Sequence, residues 1–154
     1  MMKRTLISAL ALVACFVGIQ AQTQVIAHRG FWKTEGSAQN SITALEKAAE
    51  AQLYGSEFDV LMTSDGTIVV NHDNSIEGMA IPETPFKKLK KLKIKNGEKL
   101  PTLKSYLKKG KKLDIQLILE AKPLPTKEME DQAIATIVKM VKKMGLEKQV
   151  EYIS

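Results

Sequence analysis

Four short apolar runs of this chain each carry charged or imidazole groups at or near one end. They are VIAHRG with His28 and Arg29, SEFDVLM with Glu57 and Asp59, TIVVNHD with His72 and Asp73, and IQLILEAK with Glu120 and Lys122. Amphipathic segments alternate with them. Asn40 is a good N-cap for a helix from Ser41 to about Leu53, with Ile42, Leu45 and Ala49 on one stripe and Gly55 ending the element. Thr126 opens a longer helix whose Ile134, Ile137, Val138, Val141 and Met144 form the expected buried stripe, and Gly145 terminates it. A βαβα series of this kind predicts one parallel α/β unit. Chemistry gathered from several strand ends is how a parallel barrel builds a site at one mouth.

Strands are expected at Val25–His28, Ser56–Met62, Thr67–His72, Leu113–Glu120 and Val150–Ile153. The fourth is almost continuously apolar, as in a parallel sheet covered by helices. Pro101-Thr102 opens a short helix at Leu103–Leu107. Ser64-Asp65-Gly66 is a turn. Its shortness fits a hairpin between the second and third strands, and a distorted crossover fits as well.

The first 21 residues read as a signal peptide: Lys3 and Arg4, an apolar stretch from Leu6 to Val17, then Ile19-Gln20-Ala21 as a small-residue cleavage context. The stretch is short of the ~20 residues a spanning helix needs. The expected product is exported, periplasmic or extracellular, with a domain at 22–154. Leu12-Val13-Ala14-Cys15 also resembles a lipoprotein box, which would lipidate Cys15, but Phe16-Val17 argues against it. Cys15 is the only cysteine, so cleavage after Ala21 excludes disulfide and thiolate chemistry.

Charge is unevenly spread. Residues 87–112 hold twelve lysines against one acid, Glu98. Such a block attracts phosphates or an anionic surface, or simply forms the solvated faces of two short helices. Phe86, Leu89 and Leu92 recur at helical spacing and call for a buried side. No nucleic-acid partner is expected.

Glu57 and Asp59 lie two apart on a strand, so their carboxylates share a face, ~6–7 Å apart along the chain. On an inward face they repel and are costly to desolvate, which a hard divalent cation offsets; oxygen ligands suit magnesium or calcium. An acidic face turned to solvent fits the same pattern. Glu120 offers a third oxygen ligand or is an exposed strand end. His28 and His72 are the only histidines. Two imidazoles flanking a phosphodiester could deprotonate an attacking hydroxyl and protonate the leaving alkoxide. Arg29 and Lys122 could hold the non-bridging oxygens.

His28-Arg29-Gly30, Asn40-Ser41, Glu57-x-Asp59, Thr63-x-Asp65-Gly66, His72-Asp73, Pro101-Thr102-Leu103 and Leu119-Glu120-x-Lys122 occur in an order that resembles the glycerophosphodiester phosphodiesterase family. The resemblance runs from about Val25 to Ser154. It implies a TIM-type (β/α)8 barrel with one divalent metal at its mouth, and hydrolysis of a glycerophosphodiester to glycerol 3-phosphate and an alcohol. By the same resemblance His28 and His72 are the general acid/base pair, Glu57, Asp59 and Glu120 the metal ligands, and Arg29 and Lys122 the phosphate-binding cations. Two positions depart from the pattern. Gln39 stands where the family often has a glutamate, and Asn74–Leu100 is short and lysine-rich where a longer segment is usual.

A complete barrel of this type needs ~250 residues, with a lower limit near ~200. Five of eight strands are expected here, so the chain reads as the N-terminal part of such a domain, completed by a missing continuation or by self-association.

Overall fold

The computed structural model describes residues 23–153. The expected signal peptide and Cys15 lie outside the described residues. A five-stranded sheet forms the centre. Its parallel path runs β1 (Ile26–Ala27), β2 (Gly55–Met62), β6 (Gln116–Ala121) and β7 (Val150–Ile153), and β3 (Ile68–Val70) pairs antiparallel with β2. The Ser64-Asp65-Gly66 turn is therefore a hairpin connection. Asp65 fixes it: its carboxylate accepts from the Thr63 hydroxyl at 2.5 Å and from the Phe86 backbone N–H at 3.2 Å.

The crossovers are α1 (Ile42–Glu50), α3 (Leu103–Leu113) and α4 (Lys127–Met144). Four parallel strands with helices between them make an incomplete α/β barrel wall. Ser41, not Asn40, caps α1, its hydroxyl accepting from the Ala44 N–H. Gly55 opens β2 rather than ending the helix. Thr102 and Ser105 form a capping box that starts α3 where Pro101-Thr102 placed it, but the helix continues to Leu113, so the fourth expected strand begins three residues later at Gln116. Gly145 ends α4 in the left-handed conformation, φ +64.

Two apolar clusters pack against opposite faces of β2. Phe58, Val60 and Met62 join Leu45, Tyr106, Leu107, Leu117 and Ile137 beneath the helices, with Phe58 stacked on Tyr106 at 4.4 Å. Leu61 joins Val69, Ile81, Leu89 and Leu100 on the other side. The buried stripe of α4 is Ala133, Ile137 and Val141. Ile134 is instead 50% exposed, because it lies over the free edge of the sheet beside Tyr152 and Ile153.

The lysine-rich region contains α2 (Phe86–Leu89) and, before it, a small hairpin of β4 (Ser75–Ile76) and β5 (Met79–Ala80). Leu89 is fully buried, and Phe86 and Leu92 pack against the same cluster. The lysines occupy the solvated faces of this region and of α3. No helix among the described residues is long and apolar enough to cross a membrane.

Candidate active site

The register of β2 on β6 builds the acidic centre. Asp59 is directly opposite Glu120, and Glu57, two residues back on the same face, completes a triangle. One carboxylate oxygen from each lies within 4.8 Å of the others. Asp59 is fully buried and Glu57 only 4% exposed, so the open question of a solvent-facing acidic strand is decided for burial.

Fixed cations converge on the same carboxylates. Arg29 donates its backbone N–H to Glu57 Oε2 at 2.6 Å and brings its guanidinium Nε to 3.6 Å from Asp59 Oδ2. Lys122, just past the end of β6, donates to Glu120 Oε1 at 2.8 Å and lies 3.7 Å from Asp59 Oδ1. Asn40 grips Asp59 twice, donating from Nδ2 to Oδ2 at 2.9 Å and accepting the Asp59 backbone N–H at 3.1 Å. Gln39 accepts from the Arg29 guanidinium at 3.0 Å.

This grip needs unusual backbone. Arg29 and Asn40 both sit at positive φ, +58 and +61, and the Asn40 N–H donates to the Arg29 carbonyl at 3.0 Å. Gly30 follows at φ +77, where a Cβ would meet the Ala44 Cβ at 2.5 Å. The turn after β1 is thus pressed against α1, which is how a glycine there sets Arg29 over the acids. Sequence reading assigned Asn40 to helix capping and missed this role. The visible signal was the adjacent Ser41, an equally good cap, which left Asn40 free for other work.

Electrostatics follow from burial and partners. Burial pushes the Glu57 carboxyl up to about 7; the Arg29 N–H opposes this and the charges of Asp59 and Glu120 reinforce it. Glu120 is held below its ordinary range, chiefly by the hydrogen bond from Lys122, with His72 contributing. Lys122 is raised by the same pairing. Within the triad, Glu57 Oε1 and Asp59 Oδ1 are buried with no hydrogen-bond partner. Orphaned carboxylate oxygens in a set of three hard ligands fit a divalent cation such as magnesium or calcium.

Both imidazoles border this centre. His28, in the turn after β1, places Nε2 3.9 Å from Glu57 Oε2 with its side chain 68% exposed. His72 lies two residues beyond β3, and its Nδ1 is 2.7 Å from the Asp73 carboxylate, which leaves Nε2 as the free ring nitrogen. His72-Asp73 stands out in the sequence as a pair, but their hydrogen bond was not read from it, since adjacent strand residues point apart and the two meet only because β3 has already ended. His72 also lines an open cleft with Asn40, shared with the β4–β5 hairpin and the segment around Lys93.

An incomplete α/β barrel wall carries, on and just beyond β1, β2 and β6 and after the antiparallel β3, three clustered acids, two cations and two imidazoles. That defines an α/β barrel-type wall with one cluster of acids, fixed cations and imidazoles, whose three carboxylates are close enough together to hold a metal ion. The chain matches the glycerophosphoryl diester phosphodiesterase family over residues 28–153, and it belongs to that family. A glycerophosphodiester phosphodiesterase of Caldanaerobacter subterraneus is 36% identical over 94 residues, covering 53% of this chain and 38% of the relative. The crystal structure of a glycerophosphodiester phosphodiesterase from Parabacteroides distasonis superposes with a TM-score of 0.83 at 55% identity, covering 85% of this chain and 56% of that one. A phosphodiesterase of Oleispira antarctica, solved with the product sn-glycerol-3-phosphate, shares the fold at a TM-score of 0.70 and 23% identity, covering 84% of this chain and 64% of that one. The chain thus spans less than two thirds of the length of each of these relatives.

Proposed function

We propose that this chain supplies the catalytic wall of a metal-dependent hydrolase that cleaves glycerophosphodiesters to glycerol 3-phosphate and an alcohol. The observation that carries the reading is charge balance at one point. With Glu57 ionised, three carboxylates face the two cations Arg29 and Lys122, leaving one net negative charge. A divalent ion reverses that to one net positive charge, which matches the single negative charge of a phosphodiester. Glu57, Asp59 and Glu120 would hold the ion, which when bound supplies Lewis-acid stabilisation of negative charge on phosphoryl oxygen.

The chain's own groups account for the remaining chemistry. Arg29 and Lys122 bind and orient the non-bridging oxygens, one from each side of Asp59. His28 takes the proton of the attacking hydroxyl, which belongs to the glycerol moiety itself, and protonated His72 gives its proton to the departing alkoxide. His72 then deprotonates a water that opens the resulting cyclic phosphate, and His28 returns its proton to the glycerol oxygen that leaves, giving glycerol 3-phosphate. Asp73 holds His72 in the tautomer that leaves Nε2 for this exchange. Asn40 fixes Asp59 so that it cannot turn from the site. Export by way of residues 1–21 belongs to the same proposal, and N-terminal sequencing of the secreted product should begin at Gln22.

The test is release of glycerol 3-phosphate from a glycerophosphodiester by the purified chain, with chelator and with magnesium or calcium restored. Activity should vanish on chelation and return on metal addition. His28→Ala or His72→Ala should lower kcat by about 10²–10⁴-fold, and Glu57→Gln should abolish the metal response. Full activity in His28→Ala and Glu57→Gln together would refute the assignment. A second reading, phosphate-ester binding without turnover, is favoured by the partial coverage of the relatives; the same assay distinguishes it.

A further inference from the structure

The segment between β5 and α3 is a platform with one buried and one charged side. Leu89 and Leu100 are buried in the cluster under β2, with Phe86, Leu92 and Ile94 packed beside them. Lys87, Lys88, Lys90, Lys91, Lys93, Lys95 and Lys99 are all exposed. Among the described residues none of these seven forms an ion pair. Glu98, the only acid in their midst, is turned away: it accepts the Ile42 and Thr43 N–H groups at 2.9 and 3.1 Å, at the start of α1. From Lys87 to Lys99 the outward face of the platform is left cationic, with the exposed acid Glu83 lying before it.

This face has a defined edge. Lys93 and Lys95, on either side of the inward-packed Ile94, line a cleft of about 400 Å³ whose opposite walls are Asn40, His72 and the β4–β5 hairpin. The cleft also carries two carboxylates. Asp73 is engaged with the His72 ring, and Glu77 sits exposed at the hairpin tip. One engaged acid and one exposed acid face two lysines that are backed by five more. The imidazole assigned to protonate the leaving group is part of the cleft's wall, so a leaving group protonated there has this cleft beside it.

Resting on the hydrolytic reading above, the geometry points to a leaving-group subsite in which Lys93 and Lys95 select glycerophosphodiesters whose alcohol itself carries negative charge. The seven lysines raise the local concentration of such a substrate, and the two at the cleft edge contact it. Both lysines are exposed, so replacing them leaves the fold intact.

Three diesters with a common glycerophosphate and different alcohols test this: glycerol phosphate (anionic), glycerol (neutral) and choline (cationic). Equilibrium binding is measured first, with metal present, on the full chain and its lysine variants all carrying His28→Ala so that the diesters are not consumed, the chain with native lysines serving as wild type. The wild-type chain should bind the anionic diester about tenfold more tightly than the choline diester, and the preference should weaken steeply with added salt. Lys93→Gln with Lys95→Gln should erase the preference, and Lys93→Glu with Lys95→Glu should invert it toward choline. Equal affinities in the wild type, or a glutamate variant that loses all three diesters in proportion, would overturn the subsite. Turnover of the same diesters is measured separately. Charge-selective binding without release of glycerol 3-phosphate would sink the hydrolytic reading and leave the subsite standing; release without charge selectivity would do the reverse.

Discussion

Glu57 is the residue where burial and function oppose each other most directly. Its ordinary value is 4.5, and burial raises it to about 7 in the folded chain. Between those values the folded state holds a proton that the unfolded state has released. Stability of the metal-free protein is therefore greatest below about pH 4.5 as far as this group is concerned, and falls as pH rises through about 7. A divalent cation binds the ionised form and cancels that loss. Thermal unfolding in chelator should show Tm decreasing from pH 5 toward 7.5, with magnesium or calcium restoring it most at the upper end. A metal-free Tm unchanged over that range in wild type, and identical to that of Glu57→Gln, would show that no such carboxyl exists. The seven proposed site residues were all legible in the sequence as charged or imidazole groups within or just beyond short apolar runs. Asn40 and Asp73 were not given their roles, because their partners lie across space or around a turn that spacing does not reveal.

At the scale of elements, the β1–α1 connection decides whether the site forms. Three consecutive demands meet there: Arg29 and Gly30 at positive φ, a close approach of Gly30 to Ala44, and Asn40 at positive φ. Gly30→Ala places a methyl where Ala44 already sits and should destabilise the fold by about 1–3 kcal/mol. Because the turn carries Arg29, metal affinity should fall as well; a denaturant midpoint and metal titration matching wild type would contradict this. Parallel strands and long helices were readable from apolar runs, caps and Gly145. The helix-to-strand boundary at Leu113–Gln116 was misplaced, since apolar residues before Ile115 serve α3 and β6 equally. The β4–β5 hairpin escaped notice for another reason: its strands are two residues long, and only Glu77 and Gly78 at φ +48 and +76 mark the turn.

For the whole molecule, the parallel path of the sheet ends in β1 and β7, neither of which has a further strand beside it among the described residues. Val25 and Ile26 are 55% and 43% exposed at one, and Tyr152 and Ile153 are 51% and 46% exposed at the other. Ile134 on α4 extends the second patch. Exposed strand edges with apolar side chains recruit other strands. Purified on its own, the chain should associate with rising concentration in sedimentation velocity, and Tyr152→Lys with Ile153→Lys should reduce that association. A monodisperse monomer at every concentration would contradict it. The parallel wall was legible in the sequence, whereas Ile134 was expected inside. Helical periodicity shows which face is apolar, but what covers that face depends on neighbours along the sheet.

The account's central claim is that three acids from two adjacent strands, flanked by Arg29 and Lys122, hold one divalent ion. Diffraction from crystals of the chain grown with manganese, which gives an anomalous signal where magnesium does not, tests it most directly. The predicted result is one ion touching Glu57, Asp59 and Glu120 in the wild type and no ion there in Glu57→Gln with Asp59→Asn. Crystals whose only manganese lies away from these carboxylates would contradict the account.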